Sequence, residues 1–189
     1  MDIAVVSKPA LAGVKTGRHG ASAGEAGIRI EALPEGFVLH VLVRPGDQAA
    51  AEGAKALASR LGTPLRGTAP GQWYIASDRA MTPEEFRKIE AEHAPGLAFS
   101  EQGHGRVRIA ISGAPVEAVL AKLMAVDLTL AAYPIGHGTT LFAGHVSVHA
   151  QRTEAQRFEL MVLRSFAVDL WESLVQASAE FGVDCIGPA

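Results

Sequence analysis

A chain of 189 residues with 48% hydrophobic content has enough apolar side chain to bury a core, so the composition excludes a disordered chain. Seventeen basic against 20 acidic residues give a formal net charge of -3, which argues against nucleic acid as a partner, because phosphate binding needs a basic face. No run approaches the roughly 18 apolar residues that span a bilayer, and the apolar stretch near the N-terminus is too short for a signal peptide; a cytoplasmic protein with no membrane contact is expected.

Residues 8–27 are rich in Gly, Ala and Ser and show no period, and 1–27 read as an extended leader. The remainder, 28–189, reads as a single α+β domain made of two intimately packed halves, about 28–101 and 104–189. In the first half, 28–33 and 36–44 read as strands. Residues 46–62 read as a helix with Asp47 as N-cap, Ala54, Leu57, Ala58 and Leu61 on one face, and Gly62 as the stop. A short strand over 71–77 carries Trp73. A second helix over 82–96 has Thr82 as N-cap, Pro83 in the first turn and Glu84 and Glu85 at the positive end of the dipole.

The second half follows a similar plan, although the two halves are too different in sequence to be read as a repeat. Residues 106–112 alternate Arg106, Arg108 and Ala110 with Val107, Ile109 and Ile111, the pattern of a half-buried strand. A helix is expected over 114–124. Residues 140–150 and 157–164 read as two strands joined by a polar turn, "QRTEAQ". A last helix places Phe166, Leu170, Leu174, Ala177 and Phe181 on one stripe and Val168, Trp171 and Val175 on a second stripe beside it. The order strand–helix–strand–strand–helix is the core of a split β-α-β arrangement, so an antiparallel sheet with packed helices is expected.

Candidate chemistry is sparse. His145 and His149 fall on one face of the predicted strand 140–150, about 13 Å apart and too far to share an ion; an outward polar face is expected, with Phe142, Val146 and Val148 inward. His19, His104 and His137 each sit in a glycine turn and read as exposed. Cys185, the only cysteine, reads as a spare thiol in a short tail. No dinucleotide fingerprint, Walker lysine or G-x-S-x-G elbow is present. Asp127, in "MAVDLTL", is either a turn cap or a buried acid that takes part in catalysis or ligand binding. Ser165 is expected to cap the last helix, and Arg164 to emerge beside that helix start, where a carboxylate partner in this chain or a neighbour would offset its charge. The second stripe of that helix needs a cover. Trp171, with Val168 and Val175, either docks on another chain or completes the core against the leader.

Four stretches carry a resemblance. "GRVRIAISGAPVEAVLAKLMAVDLTL" (105–130) resembles the strand–Ser-Gly–helix–Asp-Leu segment of the gamma subunit of heterotetrameric sarcosine oxidase. "FELMVLRSFAVDLWESL" (158–174), "SKPALAGVKTGRHG" (7–20) and "GQWYIAS" (71–77) are similar to further segments of that family, in the same order. Two places depart from its pattern. Residues 71–73 lack the acidic residue that usually precedes the tryptophan, and Thr139 stands where the family often has Arg.

The resemblance implies a fold like the folate-binding domain of aminomethyltransferases. It also implies a small non-catalytic subunit beside alpha, beta and delta chains, with FAD, FMN, NAD and tetrahydrofolate held by the larger subunits and none of them here. Two other classes stay open: a free-standing aminomethyltransferase-like enzyme with Asp127 as its group to test, and a folate-binding module without catalysis.

Overall fold

A computed structural model describes residues 8–21, 24–93 and 95–188. The leader residues 1–7 lie outside these, as do 22, 23, 94 and 189.

The first half is built as strand–helix–strand–strand–helix–strand: β3 (Val38–Val43), α1 (Gln48–Arg60), β4 (Leu65–Ala69), β5 (Gln72–Ala76), α2 (Pro83–Glu92) and β6 (Leu97–Glu101), after β1 (Gly17–His19) and β2 (Ile28–Ala32). The four strands lie in the order β4-β5-β3-β6, all neighbours antiparallel. Asp47 and Thr82 cap their helices as the sequence predicts, and Glu85 adds a capping box that was not expected. Asp47 accepts from Ala50 N–H at 3.0 Å, and Thr82 with Glu85 forms a reciprocal capping box. Both helices pack on one face of this sheet, around Leu39, Val41, Leu57, Ile75 and Ile89. Strands β4 and β6, five residues each, are not among the strands expected from the sequence.

The second half repeats the plan: β7 (Arg106–Ser112), α3 (Val116–Ala121), β8 (Gly138–Ala143), β9 (Val146–Glu154), β10 (Arg157–Leu163), α4 (Ala167–Ser178) and β11 (Val183–Ile186). Strand β10 pairs antiparallel with both β7 and β9, so β7-α3-β9 is a split β-α-β unit. The full order is β1-β11-β2-β7-β10-β9-β8, with β2 inserted beside β11 and β1 added at the edge. Each half is therefore a β-α-β-β-α-β unit of the ferredoxin-like type, a structural repeat that the sequence hides.

Several expectations are corrected. The strand expected over 140–150 is two strands, with Gly144 and His145 in the turn between them, and β9 runs through most of the expected turn "QRTEAQ". Phe142 is exposed, whereas Val146 and Val148 do enter the core. Leader residues 17–19 pair with β11, and Leu11 is buried in the core. Cys185 lies in β11 and is buried, not in a tail.

The two faces of the seven-stranded sheet are both covered. One carries Ile30, Ile109, Ile111, Leu160 and Val162 against α3 and α4. On the other, Arg108, Ala110, Glu159, Met161, His149 and Gln151 are buried too, because the four-stranded sheet lies over them, with Val38, Tyr74 and Ala76 packed on Met161. The half-buried pattern of β7 and the outward face expected for His149 are overturned by that second sheet. Four layers result: helices, sheet, sheet, helices.

The joint from β7 to α3 explains the Ser112-Gly113 pair. Gly113 has φ +135°, and a Cβ there would stand 2.0 Å from the carbonyl oxygen of Gly27. Only glycine permits the chain to pass so close beneath β2.

Candidate functional site

Two regions hold the polar side chains that the sequence singles out. The first is the layer between the sheets. Glu159 accepts from Arg66 through both oxygens, at 2.6 and 3.1 Å, and from Arg108 Nη1 at 3.4 Å. Arg108 also donates to Asp78 at 2.5 Å and to the Pro34 carbonyl at 3.0 Å. His149 hydrogen-bonds the Gly67 carbonyl at 2.8 Å through Nε2 and meets the Tyr74 ring edge-on at 5.6 Å. Burial holds the His149 imidazole below its ordinary pKa, against the Gly67 carbonyl, which favours the charged ring, and with the Arg66 charge, which opposes it. Gly138 stands so close to this ring that a Cβ would meet it at 3.1 Å. These charges face one another across two sheets of one chain, so they bind the halves together.

The second region is the entry to α4. Arg164 pairs with Glu35 at 2.9 Å and donates to the Lys8 carbonyl; Glu35 also accepts from Ala10 N–H at 2.8 Å. The carboxylate partner expected for Arg164 thus belongs to this chain, and the pair clasps the leader. Ser165 does not cap the helix. It is exposed within a 3-10 turn, Arg164–Phe166, and the α4 N-cap is Phe166, with no side-chain hydrogen bond. The buried face of α4 differs from the expected stripe. Ala167, Leu170, Trp171, Leu174 and Ala177 are buried, whereas Phe166 and Val168 are exposed and Val175 is half-buried. Trp171 is 1% exposed, a core position rather than an open docking residue.

The other candidates disperse. Asp127 is exposed, and its carboxylate accepts from Thr129 N–H at 2.9 Å, which lowers its pKa. This is an Asx turn at the surface, not a buried acid. Trp73, half-buried on β5, packs at the margin of the first half's core. His104 and His137 are exposed, whereas His19 lies half-buried in β1 rather than in an exposed turn. No group of three or more His, Cys, Asp or Glu able to hold a metal occurs among the described residues. No described helix is long and apolar enough to cross a membrane. The strand-to-helix joint at Gly113 is filled by the backbone of Gly27, so it offers no cradle for a dinucleotide phosphate.

Residues missed in the sequence include Arg152, fully buried, with both Nη atoms paired and Nε left without a hydrogen-bond partner. It stacks 4.4 Å from the centre of the Phe158 ring, pairs with Glu117 at 2.7 Å and donates to the carbonyls of Leu128 and Ala155. It pins the loop that carries Asp127. Glu35 and Glu159 were also missed: no local pattern marks a carboxylate whose partner lies more than 90 positions away.

The model of the sarcosine oxidase gamma subunit family matches residues 51–180, from α1 to the 3-10 turn that follows α4. The chain belongs to this family. No curated protein matches the chain in a sequence search. Among solved structures, the chain is similar to one in the heterotetrameric sarcosine oxidase from Corynebacterium sp. U-96, in complex with pyrrole 2-carboxylate. The two are 18% identical over 86% of this chain and 88% of that one, with a TM-score of 0.70. It is also similar to the glycine cleavage system aminomethyltransferase T from Bartonella henselae, at 15% identity over 86% of this chain and 48% of that one, TM-score 0.58. The gamma subunit fold is thus an aminomethyltransferase-like α+β fold, spanning about half the length of that enzyme.

Proposed function

We propose that this chain serves as the gamma subunit of a heterotetrameric sarcosine oxidase, carrying no reaction step and stabilising the assembled larger subunits. The observation that carries this reading is the family match across parts of both halves and the whole of α4. The use of the buried charges supports it. Arg66, Arg108, Glu159 and Arg152 are engaged with groups of their own chain. In this reading the partners are alpha, beta and delta chains, and the complex oxidatively demethylates sarcosine to glycine in the cytoplasm. FAD, FMN, NAD and tetrahydrofolate belong to the larger subunits.

The test is co-expression with and without this chain. A tag on it should recover the three other subunits together with flavin and sarcosine-oxidising activity, while the chain purified alone should be colourless. An active, stable assembly of the larger subunits that forms equally well without this chain, and never co-purifies with it, refutes the proposal.

A further inference from the structure

The described leader residues 8–21 are tied at both ends and stand away from α4 in between. One end is held by Glu35, Arg164 and the buried Leu11; the other by the pairing of β1 with β11. Between these ties, Val14 and Lys15 face Val168, Trp171 and Val175 across a groove of about 500 Å³. That volume lies within the range of small-molecule pockets, about 300–1,000 Å³. The groove is what remains of the second apolar stripe on α4 after the leader has covered part of it.

Its walls are apolar, and its polar lining is mixed: Lys15 and Trp171 donate, Glu172 accepts, and His19 and Gln176 can do either. Trp171 and His19 both line it, and each has a ring nitrogen, Nε1 and Nε2, that is buried without a hydrogen-bond partner. The indole N–H can only donate, and so can the Lys15 ammonium. A buried donor left unpaired is costly, so an incoming acceptor gains from it. Glu172, exposed on the α4 rim, repels an anion from its own side and leaves the Lys15 side as the favourable one.

We infer that this groove binds a small amphiphilic carboxylate. The hydrocarbon body would lie along Val14, Val168 and Val175, with the acid group at Lys15 and the Trp171 and His19 ring nitrogens on the same lining. The site lies wholly within this chain and does not depend on the subunit reading.

The chain has two tryptophans, so the full-length Trp73→Phe variant leaves Trp171 as the only reporter. Its emission is followed while hexanoate, octanoate and decanoate are added. Saturable changes are expected, with affinity rising by up to about fourfold per methylene, as burial of a CH₂ group predicts. Octanamide and octylamine should bind at least about tenfold more weakly than octanoate, since neither offers Lys15 a negative charge. Val168→Glu, at a position 41% exposed that tolerates charge, should abolish binding without unfolding the chain. No saturable change with any acid, octylamine binding as well as octanoate, or unaltered binding in Val168→Glu would each overturn the inference. Co-purification with the larger subunits is measured separately, so failure here leaves the subunit proposal standing.

Discussion

Replacing Glu159 by Gln tests whether the charged layer holds the two sheets together. The carboxylate is 8% exposed and takes two bonds from Arg66 and one from Arg108. Glutamine keeps the volume but removes the charge. Arg66, itself 6% exposed, then faces the second sheet with no counter-ion, while Arg108 keeps Asp78 and the Pro34 carbonyl. Breaking one side of a buried pair costs about 3–5 kcal/mol. At this chain length, that corresponds to a fall in melting temperature of about 6–20 °C. Removing both partners in Arg66→Met/Glu159→Met leaves no unpaired charge at Arg66, so most of that loss should return. The assay is a double-mutant cycle by urea and thermal unfolding of the parent chain, Arg66→Met, Glu159→Met and the double variant, with Glu159→Gln measured beside them. A Glu159→Gln loss below about 1 kcal/mol, or simple additivity of the two single changes, would refute the view that this pair is desolvated and mutually dependent.

Three further outcomes are expected. Trp171→Ala should destabilise the isolated chain by about 3–5 kcal/mol, as loss of a buried aromatic side chain does, whereas a docking residue would weaken assembly and leave that melting point unchanged. His149 has a depressed folded-state pKa, so the unfolded chain takes up its proton first. Stability should therefore be unaffected by this group above its ordinary value of 6.5 and fall as the pH drops below it, by at most about 1.4 kcal/mol per pH unit, a slope that His149→Gln removes in urea titrations at stepped pH. The Cys185 thiol is buried and its pKa is pushed up to about 11, so labelling by a disulfide reagent at neutral pH should proceed at the rate of opening or unfolding and not at that of a free thiol; rapid labelling of the native chain would contradict its place in β11.

What the sequence by itself determined is local. Asp47, and Thr82 with Glu85, mark two helix starts because a cap is completed within three residues of itself. The alternation of Val107, Ile109 and Ile111 marks β7 because one face of a strand is a period of two. Of the four stretches that resemble the gamma subunit family, 71–77, 105–130 and 158–174 lie within residues 51–180, which the family model matches. What only the tertiary structure decided depends on what covers a second surface. Arg108 and His149 look solvent-facing along the chain, yet the other sheet buries both. Ser165 has the chemistry of a cap, but the 3-10 turn around it moves the helix start past it. Trp171 stands beside the expected stripe, and its burial was settled by the core around it and by leader residues such as Ala10 and Val14 that pack against that core. Each of these outcomes depends on contacts between segments far apart in sequence, such as Arg66 with Glu159 and Glu35 with Arg164, and no periodicity of a single segment encodes them.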